Sequence, residues 1–247
     1  MRVAVEVCVA SVEEAVVAGR CGVDSIELCS WLACGGLTPS IGLVQEVAEH
    51  MAIPVRVLVR STPHGFRYSM EETQVMLRDL ALISRVPGVH GLVLGALDED
   101  HLPNRSYMRQ ALQRIAGSEC TFHRAIDRSA DLESAFDRCV SLGIHRILSS
   151  GSATLAADGA ARLGWMVQHA PPDLRIAAAG GINAGNVVQL VDRTGVQEIH
   201  FAAQRAVEAP LERVALSSFH APATFVTQPD AAKIEGVLEA LSKAGLR

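Results

Sequence analysis

Residues 3–8 read Val-Ala-Val-Glu-Val-Cys and residues 25–29 read Ser-Ile-Glu-Leu-Cys, with the helical stretch Val12–Gly22 between them. Side chains on a β-strand alternate between its two faces. In both runs the larger aliphatic residues therefore share one face, and a glutamate and a cysteine share the other. A strand, a helix and a second strand in this order predict a βαβ unit, the building block of parallel sheets.

The alternation of strand and helix continues to the end of the 247-residue chain. The predicted strands are Val3–Val7, Ser25–Cys29, Pro54–Val59, Gly91–Gly95, Glu119–His123, Arg146–Ser149, Arg175–Ala179 and Glu198–Phe201. The predicted helices are Val12–Gly22, Ile41–Met51, Met70–Arg85, Asn104–Ala116, Leu132–Leu142, Leu155–His169, Ala184–Thr194 and Ala231–Ala244. Eight such units in a chain of about 250 residues predict an α/β fold, a single (β/α)8 TIM barrel. An open doubly wound sheet is the alternative.

A single domain, residues 1–247, is predicted because no linker or low-complexity segment divides the chain. Residues 202–230 are predicted to form a long irregular segment before the last helix, of a length that is typical of lids and binding loops. The predicted helix N-caps are Ser11 (in a capping box with Glu14), Ser40 and Ser69.

The composition excludes several classes of protein. With a net charge of -5 and no cluster of Lys and Arg, the chain is not expected to bind nucleic acid. No apolar run reaches the roughly 18 residues of a membrane span, and the N-terminus has no signal-peptide pattern, so a soluble cytoplasmic protein is expected. The six cysteines include no Cys-x-x-Cys pair, and structural disulfides are not expected in that compartment.

Polar residues occupy the predicted inward positions near the C-terminal ends of the strands. These positions bring together Glu6, Glu27, Arg60, His123 and His200. Barrel interiors are usually filled by Val, Ile and Leu, and an unpaired buried carboxylate is unfavourable. A polar site is therefore predicted, with Glu6, Glu27 and His123 as the candidate catalytic groups. The alternative is a structural network in which the two glutamates only neutralise Arg56 and Arg60.

Two loops after late strands have the composition of anion-binding loops, Ser149-Ser150-Gly151 and Gly180-Gly181-Ile182-Asn183. Phosphate sites in TIM barrels often use such loops, although glycine is also needed simply to turn from strand to helix. The candidate substrate-binding residues are Arg60, Arg124, Asp127, Ser150, Gly151, Gly180, Gly181 and His200.

Cys8 and Cys29 hold matching positions on adjacent predicted strands. Neighbouring strands lie about 4.8 Å apart, and two metal–sulfur bonds of about 2.3 Å span up to about 4.6 Å. The two thiols are therefore candidate ligands of a soft ion such as Cu(I). The alternative is that two small residues fill a crowded barrel mouth.

The sequence resembles the CutC family over nearly its whole length. The matching runs are Glu6-Val-Cys-Val-Ala-Ser-Val-Glu-Glu-Ala, Gly22-Val-Asp-Ser-Ile-Glu-Leu-Cys-Ser, Gly35-Gly-Leu-Thr-Pro-Ser, Gly91-Leu-Val-Leu-Gly-Ala-Leu, Thr121-Phe-His-Arg-Ala-Ile-Asp, Arg146-Ile-Leu-Ser-Ser-Gly and Gly180-Gly-Ile. The resemblance implies a TIM barrel, a homo-oligomer (dimer or tetramer) and a role in copper homeostasis, with Cu(I) bound by the cysteines that match Cys8 and Cys29. Where the family typically reads Arg-Pro-Arg-Gly-Gly-Asp-Phe, this chain reads Arg60-Ser-Thr-Pro-His-Gly-Phe and lacks the second arginine and the aspartate.

Three functions follow as hypotheses, and whether the protein is an enzyme stays open. The first is a copper-binding homeostasis protein. The second is an isomerase, lyase or hydrolase that acts on a small polar sugar-like or phosphorylated metabolite, which Arg60 and Arg124 would hold through its anionic groups. The third is a non-catalytic scaffold with a relic pocket.

Overall fold

Eight parallel strands hydrogen-bond in sequence order into a closed barrel in which the last strand pairs with the first. Helices alternate with the strands along the chain. The predicted TIM barrel is confirmed, and the open doubly wound alternative is wrong. The computed structural model describes residues 2–115, 117–208 and 225–247.

The bounds of the elements agree with the predicted ones to within two residues, except at the starts of two helices. The barrel strands are β1 Ala4–Val9, β2 Ser25–Leu28, β3 Val55–Leu58, β4 Val89–Leu94, β5 Glu119–Phe122, β6 Arg146–Ser149, β7 Arg175–Ala179 and β8 Glu198–Ala202. The helices are α1 Val12–Cys21, α2 Ile41–His50, α3 Met70–Ile83, α4 Arg105–Arg114, α5 Leu132–Ser141, α6 Ala160–His169, α7 Val187–Thr194 and α8 Ala231–Lys243. The predicted end of α4, Ala116, lies outside the described residues. Short 3-10 helices, Leu32–Cys34 and Arg124–Arg128, follow β2 and β5.

Helix α6 begins five residues later than predicted because the preceding loop folds back on itself. The N–H of Ala156 donates to the carbonyl of Gly180 at 2.9 Å. Gly159 packs so closely on the loop that a Cβ there would lie 1.9 Å from the Ser150 carbonyl oxygen. Helix α7 begins three residues late, since Asn183 and Asn186 use their side chains to accept backbone N–H groups in a turn.

The sequence predicted that segment 202–230 is irregular, but part of it forms β-strands. Strands β9 Gln204–Glu208 and β10 Phe225–Pro229 pair in an antiparallel two-stranded sheet. The prediction failed because the first strand reads Gln-Arg-Ala-Val-Glu, which has no apolar face of its own. Residues 209–224 lie outside the described residues.

The predicted capping box at α1 is only half formed. Ser11 Oγ accepts the N–H of Glu14 at 3.1 Å, but the Glu14 carboxylate accepts the N–H of Ala10 instead of that of Ser11. The complete box lies at α3, where Ser69 and Glu72 exchange both hydrogen bonds. Ser40 caps α2 as predicted.

The predicted division of the first two strands into two faces is confirmed. Val3, Val5 and Val7 are fully buried in the main core between the barrel and its helices. A separate apolar cluster inside the barrel contains Cys8 and Cys29 together with Leu58 and Val93. The inward face of the strands therefore positions the candidate site.

Candidate functional site

A buried ion-pair network fills the barrel interior below the mouth. Both carboxylate oxygens of Glu6 are used, since Oε2 accepts from Arg56 Nη1 at 2.7 Å and Oε1 accepts from Arg146 Nη2 at 2.8 Å. Ser25 Oγ donates to Glu6 at 3.1 Å and accepts from Arg56 at 2.8 Å. Burial raises the pKa of Glu6, but the charge of Arg146, the hydrogen bond to His200 and the charge of Arg56 hold it well below its usual range.

The network continues toward the N-terminal end of the barrel. Arg56 Nε donates to Glu119 at 2.6 Å, and Arg146 Nε donates to Glu198 at 2.6 Å. Arg175 contacts both of these glutamates at the more exposed end. Together with Glu6, these residues place three carboxylates against three guanidinium groups, so the charges balance, with Arg175 half exposed. We call these six residues the interior ion-pair network.

The predicted ion pairs are confirmed only in part. Glu6 pairs with Arg56, but no hydrogen bond or ion pair joins Glu27 to Arg60 among the described residues. Arg60 follows the end of β3 and donates to backbone carbonyls of the neighbouring loops instead. The prediction did not include in the network the residues Glu119, Arg146, Arg175 and Glu198. Each of them is the first residue of its strand, and that recurring position is the signal that could have identified them.

Above the network, the thiols of Cys8 and Cys29 lie side by side. Their sulfur atoms are 3.6 Å apart, and both side chains are buried. The assumed register was wrong, because Cys8 lies opposite Glu27 in the β1–β2 ladder and Cys29 follows two residues later on the same face. The thiols nevertheless meet at the mouth. The hydrogen bond with Cys29 and burial raise the pKa of the Cys8 thiol well above its usual value.

Two further potential metal ligands adjoin Cys8. Ligand atoms of Cys8, Glu27 and His200 all lie within 4.8 Å of one another. His200 Nδ1 is 2.9 Å from Glu6 Oε1, so the interior ion-pair network orients its ring. Glu27 Oε2 has no hydrogen-bond partner among the described residues, and burial raises the pKa of this carboxyl. Cys8 thus belongs both to the thiol pair and to a group with an oriented imidazole and a carboxyl that has unused hydrogen-bonding capacity; Cys29 is not part of that second group.

Cys8 borders a small cavity of about 150 Å³, which we call the inner cavity. The residues that line it are Cys8, Glu27, Leu32, Gly35, Leu58, Arg60, Phe66, His123, Arg124, Leu148, His200 and Ala202. An adjoining cleft of about 650 Å³ shares Gly35, Arg60, Phe66 and Arg124 with it. The His123 and Phe66 rings contact each other with centroids 4.9 Å apart, and the Arg60 guanidinium lies 5.0 Å from the centre of the Phe66 ring. The inner cavity therefore brings together six predicted site residues, Cys8, Glu27, Arg60, His123, Arg124 and His200.

The predicted anion-binding loops are used internally. The Asp127 carboxylate accepts the N–H groups of Ser150 and Ser152 and the hydroxyl groups of Ser149 and Ser150, at 2.6–3.1 Å. Arg124 completes this cluster, donating to Asp127 at 2.9 Å and to Ser150 at 2.6 Å. A protein carboxylate thus takes the position that an external anion was predicted to occupy.

The remaining predicted glycines have backbone roles. Gly151 donates its N–H to Ser149 Oγ at 2.9 Å, and the Gly180 carbonyl accepts from Ala156. The Gly181 carbonyl accepts from Asn183 and Asn186. These glycines do not line the inner cavity or the cleft. The catalytic roles of Glu6, Glu27 and His123 stay predictions.

Comparison with known proteins agrees with this architecture. The CutC family model matches residues 3–205. The chain is 34% identical to a CutC family protein of Photobacterium profundum over 98% of this chain and 100% of that protein. It is 40% identical to one of Vibrio campbellii over 82% of each chain.

Solved structures show the same fold. A Streptococcus agalactiae protein named for copper homeostasis, CutC, superimposes with a TM-score of 0.76 at 27% identity, covering 81% of this chain and 98% of that one. Phosphoribosylanthranilate isomerase of Thermotoga maritima, at 12% identity and a TM-score of 0.58, covers 98% of this chain and 99% of its own, and shares the fold alone. None of the described helices has the length and apolarity that a membrane crossing requires. The chain belongs to the CutC family.

Proposed function

We propose that this CutC family protein acts in copper homeostasis by binding Cu(I) between Cys8 and Cys29 at the barrel mouth. The observation that carries the proposal is the 3.6 Å separation of the two sulfur atoms. At metal–sulfur bonds of about 2.3 Å, two sulfurs up to about 4.6 Å apart can share one ion. Thiolates are also the ligands that Cu(I) prefers. The proposal includes a cytoplasmic location, where thiols stay reduced.

His200 is the third donor in this proposal. Imidazole suits copper, whereas carboxylates suit harder ions, so His200 is a better ligand than Glu27. Nδ1 of His200 contacts Glu6, which leaves the other ring nitrogen for the metal. A carboxylate that orients a ligating histidine is a common second layer around metal sites, and it strengthens the ligand.

The name of a solved relative also supports a role in copper homeostasis. The Streptococcus agalactiae relative is named for copper homeostasis, and it shares the fold of this chain at 27% identity. In this chain the raised pKa of Cys8 means that its free thiol is protonated near neutral pH. Metal ligation requires the thiolate, so Cu(I) binding would release a proton.

An anaerobic Cu(I) competition titration against a chelator of known affinity tests the proposal. Wild type should bind one equivalent tightly, and Cys8→Ser/Cys29→Ser should lose that binding. The matched control is Cys21→Ser/Cys139→Ser, which removes two free thiols from α1 and α5 and should bind as wild type does. Weak wild-type binding, or binding that survives the Cys8/Cys29 double substitution, would contradict the proposal and favour a metabolite-binding or scaffold function.

The third donor is tested by two single substitutions in the same titration. His200→Gln should weaken Cu(I) binding by about ten-fold or more, because it removes a proposed ligand, and the loss of a residue that only supports a ligand already costs about ten-fold. Glu27→Gln should leave the affinity nearly intact. The reverse result would identify the Glu27 carboxylate as the third ligand. The site would then contain a hard oxygen ligand, which Cu(I) does not prefer.

A further inference from the structure

Two buried polar atoms of the inner cavity have no role in the thiol site. His123 Nε2 and Arg60 Nε have no hydrogen-bond partner among the described residues, although the two residues are only 5% and 6% exposed. Buried polar atoms in folded proteins are almost always hydrogen-bonded to protein, water or ligand. Both residues line the inner cavity, and Arg60 also lines the adjoining cleft.

The environment of His123 fixes its tautomer. Nδ1 accepts the backbone N–H of Ala125 at 3.1 Å, so this nitrogen carries no proton. Burial and the nearby charge of Arg60 lower the pKa of His123 to about 3. The ring is therefore neutral near pH 7, and its proton lies on Nε2. His123 thus presents one fixed hydrogen-bond donor, which suits a ligand oxygen.

Positive charge is in excess around this side of the cavity. Arg60 donates to the carbonyls of Cys34, Gly36 and Pro63 at 2.9–3.2 Å, and no carboxylate pairs with it among the described residues. Arg124 is paired with Asp127, and Arg128 adds a further cation to the cleft. A buried guanidinium without a counterion is unfavourable, so this arrangement favours an anion.

We propose that the cleft and the inner cavity together bind a small oxyanion compound, a phosphate ester or a carboxylate that also carries a hydroxyl or carbonyl oxygen. Arg60 and Arg124 would hold the anionic group from the cleft, and His123 Nε2–H would donate to the neutral oxygen. Arginine suits this role because its planar fork matches the oxygens of carboxylate and phosphate groups. The volume of the cleft, about 650 Å³, is in the range of small-molecule sites.

The negative side of the cavity limits how the ligand can lie. Glu27 also lines it, but Glu27 Oε1 lies 4.0 Å from Cys8 Sγ, beside the thiols. The anionic group of the ligand is therefore expected on the Arg124 side, away from this carboxyl. The site uses neither thiol as a ligand, so it goes beyond copper binding, and either proposal can fail without the other.

Isothermal titration with 3-phosphoglycerate as the probe tests the site, with glycerol as the uncharged control. Inorganic phosphate and malonate distinguish recognition of phosphate from recognition of carboxylate. His123→Asn is the key variant, because asparagine can accept the Ala125 N–H as an N-cap but cannot reproduce the Nε2–H donor. Arg60→Lys keeps the charge and loses the fork. Arg114→Met is the control for charge, since Arg114 is exposed on α4 and its hydrogen bond among the described residues goes to the Gln110 carbonyl.

Wild type and Arg114→Met should bind at least one of the three anions saturably and should not bind glycerol. His123→Asn and Arg60→Lys should weaken binding of 3-phosphoglycerate about ten-fold or more, the size expected for loss of a hydrogen bond to a charged group. If either of the first two variants fails to fold, Arg124→Met, whose side chain is 40% exposed, takes its place with the same expectation. Absence of binding by all three anions, or affinities that these substitutions do not change, would overturn the proposal.

Discussion

At the scale of single residues, the geometry of the thiol pair depends on Gly36. This residue has a φ of +89°, which L-residues rarely adopt, and it packs against Leu58 and Cys29 inside the barrel. A Cβ on Gly36 would lie 2.7 Å from Leu58 Cδ2, 3.3 Å from Cys29 Cβ and 3.4 Å from Cys29 Sγ. Both the backbone conformation and the close approach therefore require glycine beside the proposed copper ligands.

Gly36→Ala should destabilise the protein and displace Cys29. The matched control is Gly22→Ala, because Gly22 has a similar φ of +85° but nothing within 4 Å of the added Cβ. Gly22→Ala should lower the free energy of unfolding by about 1–2 kcal/mol through the left-handed conformation alone. Gly36→Ala should lower the free energy of unfolding by about 1–3 kcal/mol more, because the added methyl group overpacks the barrel interior. It should also weaken Cu(I) binding. Urea unfolding and the Cu(I) titration measure both effects, and equal losses for the two variants would contradict this account.

The sequence predicted which polar side chains lie inside the barrel but not their contacts. Alternation along β1 and β2 was enough to place Glu6, Cys8 and Glu27 inside the barrel. It could not show that Arg60 would bond to loop carbonyls, because those partners depend on how the loops after β2 and β3 fold. It also could not give the tautomer of His123, which a backbone N–H of the following 3-10 helix sets.

At the scale of strands, the interior ion-pair network joins β1, β3, β5, β6, β7 and β8 through side chains as well as ladders. Glu6 and Glu27 are both buried, but only Glu6 belongs to this network. Glu6 satisfies Arg56 and Arg146, whereas Glu27 has no arginine partner among the described residues. Substituting each by its isosteric amide separates charge pairing from simple burial.

Glu6→Gln should lower the free energy of unfolding by about 3–5 kcal/mol, because it leaves the buried guanidinium groups of Arg56 and Arg146 without their shared carboxylate. Glu27→Gln should change stability by less than about 1 kcal/mol, since no ion pair is lost. Urea unfolding at neutral pH measures the difference. Similar losses for the two variants would mean that Glu6 stabilises the barrel only by filling space.

The same two glutamates should make opposite contributions to the pH dependence of stability. The folded-state pKa of Glu6 is lowered, so its stabilising contribution is present above its ordinary value near 4.5 and is lost as the pH falls through the folded value. The pKa of Glu27 is raised, so protonation of this group stabilises the folded protein as the pH falls toward 4.5. In urea unfolding below pH 5, Glu6→Gln should flatten the acid-induced loss of stability. Above pH 4.5, acidification should stabilise Glu27→Gln less than it stabilises wild type. Unchanged slopes in both variants would contradict the assigned shifts.

The elements themselves could be predicted well because the outward positions of the barrel strands are mostly apolar. The errors lie where side chains or loops compete with local patterns. Asn183 and Asn186 delay α7, and the folded loop before α6 delays that helix. Strand β9 was missed because its polar sequence gives no apolar alternation, and its pairing partner β10 lies beyond residues 209–224.

At the scale of the whole molecule, helix α3 exposes more large apolar side chains than any other helix that the structure describes. Helix α3 buries Met76, Leu77, Leu80 and Ile83 against the core, yet Val75 and Leu82 are 50% and 58% exposed. These two residues are seven positions apart, so they lie on the same face of the helix, two turns from each other. The resemblance to the CutC family implies a homo-oligomer, and this face is where we expect subunits to meet.

The prediction is that wild type forms a dimer or a tetramer and that Val75→Glu/Leu82→Glu lowers the measured mass. Charged residues at the centre of an apolar contact should prevent association, because they would be buried without partners. Leu155→Glu is the matched control, since Leu155 is 45% exposed in the loop before α6 and far along the chain from α3. Size-exclusion chromatography with light scattering should show wild-type mass for this control and a smaller species for the α3 variant. A monomeric wild type, or an α3 variant of unchanged mass, would show that this face does not join subunits. The folding control is circular dichroism. An unchanged spectrum in the α3 variant would confirm that its smaller mass reflects lost association and not unfolding.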